Sequence, residues 1–294
     1  MNRRRFFLSL AALSFAGTSC ASTGDTALRG AHLRSRLREL EQQGGGRLGV
    51  HVLDTATGAE YGYRQDERFM LLSSFKLLAS ALVLQRVDTG REALDRRVVY
   101  DRSVLLPWSP VTERHADGQG MTLAALCEAA ITTSDNAAAN LILASYGGPA
   151  ALTAWLRQLG DGVTRLDRNE PELNTKHPQG ELDTTSPRAM TQMMQKLLLG
   201  DVLSPASRAT LQRWLLANTT GGRRLKAGLP ADWRIGDKTG TNRSDANDVG
   251  IVWPPGGKPL LVSAYLADST AAPAARDACL AGVGRLLVDI AGNS

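Results

Sequence analysis

Ser73-Ser74-Phe75-Lys76, Ser134-Asp135-Asn136 and Lys238-Thr239-Gly240 stand in that order along 294 residues, and they can act together only if the fold brings them to one place. A hydroxyl nucleophile with an amine three residues on, a second hydroxyl and a second amine make an acyl-transfer site that needs no histidine. An S-x-x-K pair alone is weak, since ordinary residue usage yields about one in a chain of this length. By itself, Ser73 reads as a helix cap and Lys76 as a solvated lysine, and Ser134-Asp135-Asn136 as a turn or cap. S-D-N and K-T-G are each rare by chance, so the ordered, widely spaced set argues against coincidence.

The apolar pattern shows how such a chain can close on itself. Leu33, Leu37 and Leu40 recur at helical spacing among charged residues, and Gly44-Gly45-Gly46 ends that helix. Arg47 to Asp54 and Glu60 to Tyr63 read as a hairpin around Thr55-Ala56-Thr57-Gly58. Leu77 to Val87 is apolar on nearly every face, which predicts a helix inside the protein. Met121 to Ser145, Pro149 to Leu159 and Ser186 to Leu199 are further helical stretches. Strands return at Arg234 to Lys238, Val249 to Trp253 and Leu260 to Leu266, before a closing helix marked by Leu280, Val283, Leu287 and Ile290. Strands at both ends and helices between predict an α+β fold: an antiparallel sheet built from both chain ends with flanking helices, plus an all-helical insertion.

Residues 1–21 read as an export leader, with Arg3, Arg4 and Arg5 before an apolar stretch from Phe6 to Ala16 and then small residues. That stretch is too short to span a bilayer, and no later segment is a transmembrane candidate. Asn2-Arg3-Arg4-Arg5-Phe6-Phe7 is similar to a twin-arginine motif and also fits an ordinary secretory leader. Ser19-Cys20-Ala21 permits cleavage after Ala21, giving a soluble periplasmic protein, or lipidation of Cys20 as the alternative. The net charge of +5 falls to +2 once the three leader arginines are removed, which gives no nucleic-acid footprint. His32, His51, His115 and His177 do not cluster with Cys, Asp or Glu at metal-ligand spacing, so no metal or other cofactor is expected. Nor does a phosphate-cradling loop appear, since Gly44-Gly45-Gly46 lacks a following lysine.

Asp167-Arg168-Asn169-Glu170-Pro171-Glu172-Leu173-Asn174 and Leu182-Asp183-Thr184-Thr185 complete a pattern. From about Leu33 to the last helix, the chain resembles the class A serine β-lactamases. The resemblance implies an exported, monomeric hydrolase that opens β-lactams through a serine acyl-enzyme. Residues 22–294 would form its catalytic unit, with an α/β part at about 22–66 and 216–294 and a helical part at about 67–215. Ser73 would be the nucleophile, Lys76 and Glu170 the candidate bases, and Ser134 the proton donor to the lactam nitrogen, steadied by Lys238. Glu170 and Asn174 would grip the water that frees the acyl group. Backbone N–H groups of Ser73 and Thr241 would make the oxyanion hole.

Substrate contacts implied by the same resemblance are Trp108 at the cleft mouth, Asn136 on the acylamino group, and Thr239 with Thr241 on the substrate's carboxylate, assisted by Arg224, with Lys238 and Gly240 of the same motif also lining the substrate. Asp183 would pair with Arg168 to clamp the loop between them; an ordinary surface ion pair is the bland alternative. Ser80 stands where many relatives place the disulfide partner of Cys127, which predicts a buried free thiol. Leu72 and Asn242 stand where a carbapenem-hydrolysing group carries a disulfide, which points toward penicillins and early cephalosporins. The rival readings are a penicillin-binding D,D-peptidase, which shares the three motifs without the Glu170 loop, and a sensing domain that stays acylated.

Overall fold

The computed structural model describes residues 23–178 and 180–292, so the leader and Cys20 lie outside the described residues. Helix α1 (Thr23–Gly44) ends at Gly45, whose φ of 63° closes the helix through an N–H bond to the Glu41 carbonyl. The hairpin of β1 (Arg47–Asp54) and β2 (Glu60–Tyr63) has the predicted bounds. A short strand, β3 (Phe69–Met70), leads into a 3₁₀ turn at Leu72–Ser74 and then α2 (Phe75–Asp88). Phe75 to Leu84 are all buried, so α2 is the interior helix that its unbroken apolar run predicts. It packs against α3 (Leu123–Thr132), α4 (Asn136–Ser145), α5 (Gly148–Gln158) and, further on, α7 (Pro205–Leu216).

Two expectations need correction. Met121 to Ser145 is two helices, preceded by a two-residue strand β5 (Met121–Thr122) that pairs with β4 (Arg97–Val98). The break is at Ser134, with φ 60°, followed by Asp135, whose carboxylate caps α4 by accepting from the Ala138 N–H at 2.8 Å. Local capping chemistry overrode an apolar pattern that reads as continuous. Helix α7 was not anticipated, although Ser204 before Pro205 is an N-cap followed by proline in the first turn.

The strand β6 (Thr184–Thr185) pairs with β3, and α6 (Pro187–Leu198) follows, capped by Ser186. The chain then returns to the sheet with β7 (Arg234–Thr241), β8 (Ala246–Trp253) and β9 (Leu260–Ala267), and closes with α8 (Pro273–Ala291). Strand β7 runs three residues beyond the predicted Lys238, so the whole K-T-G motif lies in the sheet. The five-stranded antiparallel sheet has the order β2-β1-β9-β8-β7, which places both chain ends in one sheet as predicted.

The sheet separates two apolar cores, and β9, buried throughout, serves both. Leu260, Val262, Ala264 and Leu266 pack with α1 and α8, whereas Leu261 and Tyr265 join the core around α2. This explains why β9 reads as a continuous apolar run, since each face has its own core to fill. Burying a large aliphatic side chain contributes about 1.5–3 kcal/mol, so these two faces carry much of the stability. Cys127 and Cys279 are free and buried, and burial pushes both thiols up to about 12. Among the described residues, no helix is long and apolar enough to cross a membrane.

Candidate active site

Ser73 lies in the 3₁₀ turn that opens α2, and Lys76 follows on the same face one turn later. Strand β7 runs against this turn. A Cβ on Gly240 would meet Leu72 Cβ at 2.8 Å and the Ser73 nitrogen at 3.2 Å, so the glycine of K-T-G lets the strand approach the serine. Among the described residues, three of the six non-glycine residues with positive φ flank the site: Leu72 (47°), Trp108 (64°) and Ser134 (60°). Such conformations cost on the order of 1–3 kcal/mol each and persist only where the surroundings hold them. Asp135 does much of the holding, since its buried carboxylate accepts from the N–H groups of Val111 and Thr112 as well as from α4.

The three motifs meet through hydrogen bonds. Lys76 Nζ donates to Ser73 Oγ (3.0 Å), the Ser134 carbonyl (2.9 Å) and Asn136 Oδ1 (2.6 Å), and lies 3.1 Å from Glu170 Oε1. Ser73 Oγ also donates to Glu170 Oε1 at 3.4 Å. Lys238 Nζ donates to Ser134 Oγ at 3.0 Å and to the Thr239 carbonyl at 2.8 Å. Both lysines are fully buried, and desolvation holds each amine below its ordinary range. Glu170 opposes that shift at Lys76, while at Lys238 the charge of Lys76 reinforces it.

Glu170 is placed from both sides. Asn140, one helical turn after Asn136, accepts from the Glu170 N–H at 2.9 Å and donates to its carbonyl at 2.8 Å. Asn174 Nδ2 donates directly to Glu170 Oε2, and among the described residues no protein group bonds the buried Asn174 Oδ1. Asp183 is fully buried; it accepts from the N–H groups of Asp167 (2.8 Å) and Arg168 (2.9 Å) and from Arg168 Nε (2.6 Å). The Arg168 pair is therefore no surface ion pair on the Asp183 side.

A cavity of about 450 Å³ opens above Ser73 and is lined by Trp108, Ser134, Asn136, Asn174, Thr239, Gly240, Thr241 and Arg224. Trp108 is 64% exposed at its rim and donates Nε1–H to the Thr133 carbonyl. Asn136 spends both ends on the protein, with Nδ2 bonded to the Pro107 carbonyl at 2.8 Å. Thr239 Oγ1 lies 2.6 Å from Thr220 Oγ1, and Thr241 Oγ1 accepts from Arg224 Nη2 at 2.7 Å. Every residue given a catalytic or substrate-binding role in the sequence thus lines the cavity or lies beneath it in this network. Sequence reading missed Asn140, Thr220, Arg223, Arg276 and Asp277; only Asn140 had a local signal, its four-residue spacing from Asn136. Among the described residues, no group of three or more His, Cys, Asp or Glu is placed to hold a metal ion.

Comparison with known proteins gives one consistent picture. A family model described as "Beta-lactamase enzyme family" matches residues 32–291. A β-lactamase of Streptomyces albus G is 45% identical over 271 residues, covering 87% of this chain and 84% of its own. The carbapenem-hydrolyzing β-lactamase KPC of Klebsiella oxytoca is also 45% identical, over 253 residues, covering 85% of this chain and 86% of its own. Among solved structures, the class A β-lactamase of the last common ancestor of Gram-negative bacteria superposes with a TM-score of 0.86 at 60% identity, covering 88% of this chain and 98% of that one.

Proposed function

This chain belongs to the β-lactamase enzyme family, in its class A branch, and hydrolyses the β-lactam amide bond, which confers β-lactam resistance; from that premise we propose which side chains do the work. Ser73 Oγ attacks the lactam carbonyl carbon, and the oxyanion is held by the backbone N–H groups of Ser73 and Thr241. The serine proton goes to Lys76 or to Glu170. Lys76 is ringed by acceptors, so as an ammonium it must first give up a proton, and Glu170 Oε1 at 3.1 Å is the acceptor that carries charge. Ser134 Oγ protonates the departing lactam nitrogen and regains a proton from Lys76 Nζ, 3.4 Å away, which passes on the one Ser73 gave up, while Lys238 at 3.0 Å steadies Ser134 during the transfer. Trp108, Asn136, Arg224, Thr239, Gly240 and Thr241 hold the substrate.

Hydrolysis then needs a water. The observation that carries this step is the position of Glu170, within reach of Ser73 Oγ on one side and bonded to Asn174 on the other. Asn174 Oδ1 is a buried acceptor that lacks a protein donor among the described residues, a costly state that a water shared with Glu170 relieves. Glu170 takes that water's proton as the water's oxygen bonds to the acyl carbon, and hands it on to Ser73 Oγ, 3.4 Å away, which leaves as a hydroxyl. Family membership sets aside the D,D-peptidase and sensor readings.

Penicillins and early cephalosporins are the proposed substrates, and the protein is proposed to be a periplasmic monomer delivered by residues 1–21. Turnover of a chromogenic cephalosporin past one equivalent tests the hydrolase, with a carbapenem in the same panel testing the range. Glu170→Ala should trap acylated Ser73 as a mass increase and lower kcat by about 10²–10⁴. Normal turnover by that variant would remove Glu170 from the role.

A further inference from the structure

The cavity above Ser73 has a charged wall of which this chemistry uses only Arg224. Arg223, Arg224 and Arg276 line it together with Thr220 and a single carboxylate, Asp277. Arg224 is buried with all three of its guanidinium nitrogens bonded, to Asp277 Oδ1, the Gly240 and Asn247 carbonyls and Thr241 Oγ1. Arg276 is also buried and donates to the Arg243 carbonyl at 2.7 Å. Arg223 differs from both. Its Nε donates to Asp277 Oδ2 at 3.0 Å, its side chain is 88% exposed, and among the described residues its two terminal amino groups bond no protein acceptor. Tied at one nitrogen and open at the other two, it presents a planar fork to the cavity rim. Asp277 already shares its charge with Arg224, so the rim stays electropositive.

We propose that Arg223 is a specificity-determining residue that favours β-lactams bearing negative charge next to the ring carboxylate, in particular cephalosporins with an anionic C3 substituent. This rests on the reading that Thr239, Thr241 and Arg224 hold the carboxylate. A cephalosporin carries that carboxylate on C4, so a substituent on C3 begins on the adjacent ring atom. Arg223 is the neighbour of Arg224 and shares its carboxylate partner, which makes it the open guanidinium beside that point. A penicillin has no extended group there, only two methyls, and places no demand on Arg223. Because the guanidinium is exposed, its pull is modest, is screened by salt, and acts chiefly on kcat/KM.

The test uses three cephalosporins that share one 7-acylamino group and carry a pyridiniomethyl, an acetoxymethyl or a sulfomethyltetrazolylthiomethyl group at C3. Each kcat/KM is divided by that of benzylpenicillin for the same enzyme. The anionic-to-cationic ratio should fall roughly threefold to fivefold in Arg223→Ala and on the order of tenfold in Arg223→Glu, and stay near the wild-type value in Arg223→Lys. About 0.5 M NaCl should shrink the wild-type preference. A ratio that does not move in the Ala and Glu variants overturns the proposal, as does an equal loss for all three cephalosporins and benzylpenicillin. Thr241→Val tests the parent reading separately: if it leaves benzylpenicillin kcat/KM intact, the carboxylate site lies elsewhere, whatever Arg223 does.

Discussion

Asn242 is bound on two sides, and only one of them belongs to its own hairpin. Its Oδ1 accepts from the N–H groups of Ser244 (2.9 Å) and Asp245 (2.7 Å), while Nδ2 donates to the Asn174 carbonyl at 3.1 Å. Asn174 in turn holds Glu170, so a side chain beside β7 steadies the carboxylate proposed to activate water. Asn242→Ala should slow deacylation about threefold to tenfold, the worth of one neutral hydrogen bond, and leave acylation unchanged. Stopped-flow traces would then show a full burst followed by a slower steady state. An equal loss in both phases would make Asn242 a scaffold residue with no particular claim on Glu170. Glu170 and Asn174 were legible in the sequence because they lie four residues apart in a recognisable run. The third member lies 68 residues from Asn174, and nothing local to it marks the contact.

At the scale of elements, the segment from Asp167 to Thr185 behaves as a clamped loop. Asp183 gathers two backbone N–H groups and one guanidinium, and its removal would leave those donors facing a closed interior. Asp183→Ala should cost about 2–3 kcal/mol in denaturant unfolding, discounted because Arg168 is partly exposed, and should also lower kcat. Asp183→Asn, which keeps an acceptor for the backbone donors, should fall between. Wild-type stability in the alanine variant would reduce the clamp to an ordinary ion pair. The stretch from Met121 to Ser145 shows the converse limit of sequence reading. Its apolar residues keep a helical period on both sides of Ser134-Asp135-Asn136, and the period alone hid the break. The motif reads as a cap or as chemistry, and the fold uses it as both: Asp135 caps α4 while Ser134 and Asn136 face the cavity.

For the molecule as a whole, the sheet that joins the two cores carries an electrostatic cost beneath its active strand. Asp237, just before Lys238, and Asp248, on the paired strand β8, are both buried and interact with one another, and among the described residues Asp237 Oδ2 and Asp248 Oδ1 have no hydrogen-bond partner, a state that a proton held between them relieves. Burial raises both carboxyls above the ordinary 3.8, and Asp237 raises Asp248 further. A carboxyl raised in the folded state favours folding while it holds its proton, so this contribution is full below pH 3.8 and is lost as pH rises through the folded-state value. Asp248→Asn keeps an acceptor for the Leu225 N–H and supplies a permanent donor to Asp237. Its Tm relative to wild type should therefore rise between pH 4 and pH 8, as scanning calorimetry at several pH values would show; a pH-independent difference would refute the shared-proton account. The sequence alone marked Ser73, Lys76, Ser134, Glu170 and Lys238 as one candidate site and set the bounds of β1 and β2, because motif identity and apolar period are properties of neighbouring residues. Tertiary structure alone decided that Asp237 and Asp248 share a site, that Asn242 reaches Asn174, and that among the described residues both terminal amino groups of Arg223 bond no protein acceptor whereas every guanidinium nitrogen of Arg224 does. Those outcomes depend on distances between residues far apart in the chain and on which polar groups the packing leaves unpaired, and no local pattern records either.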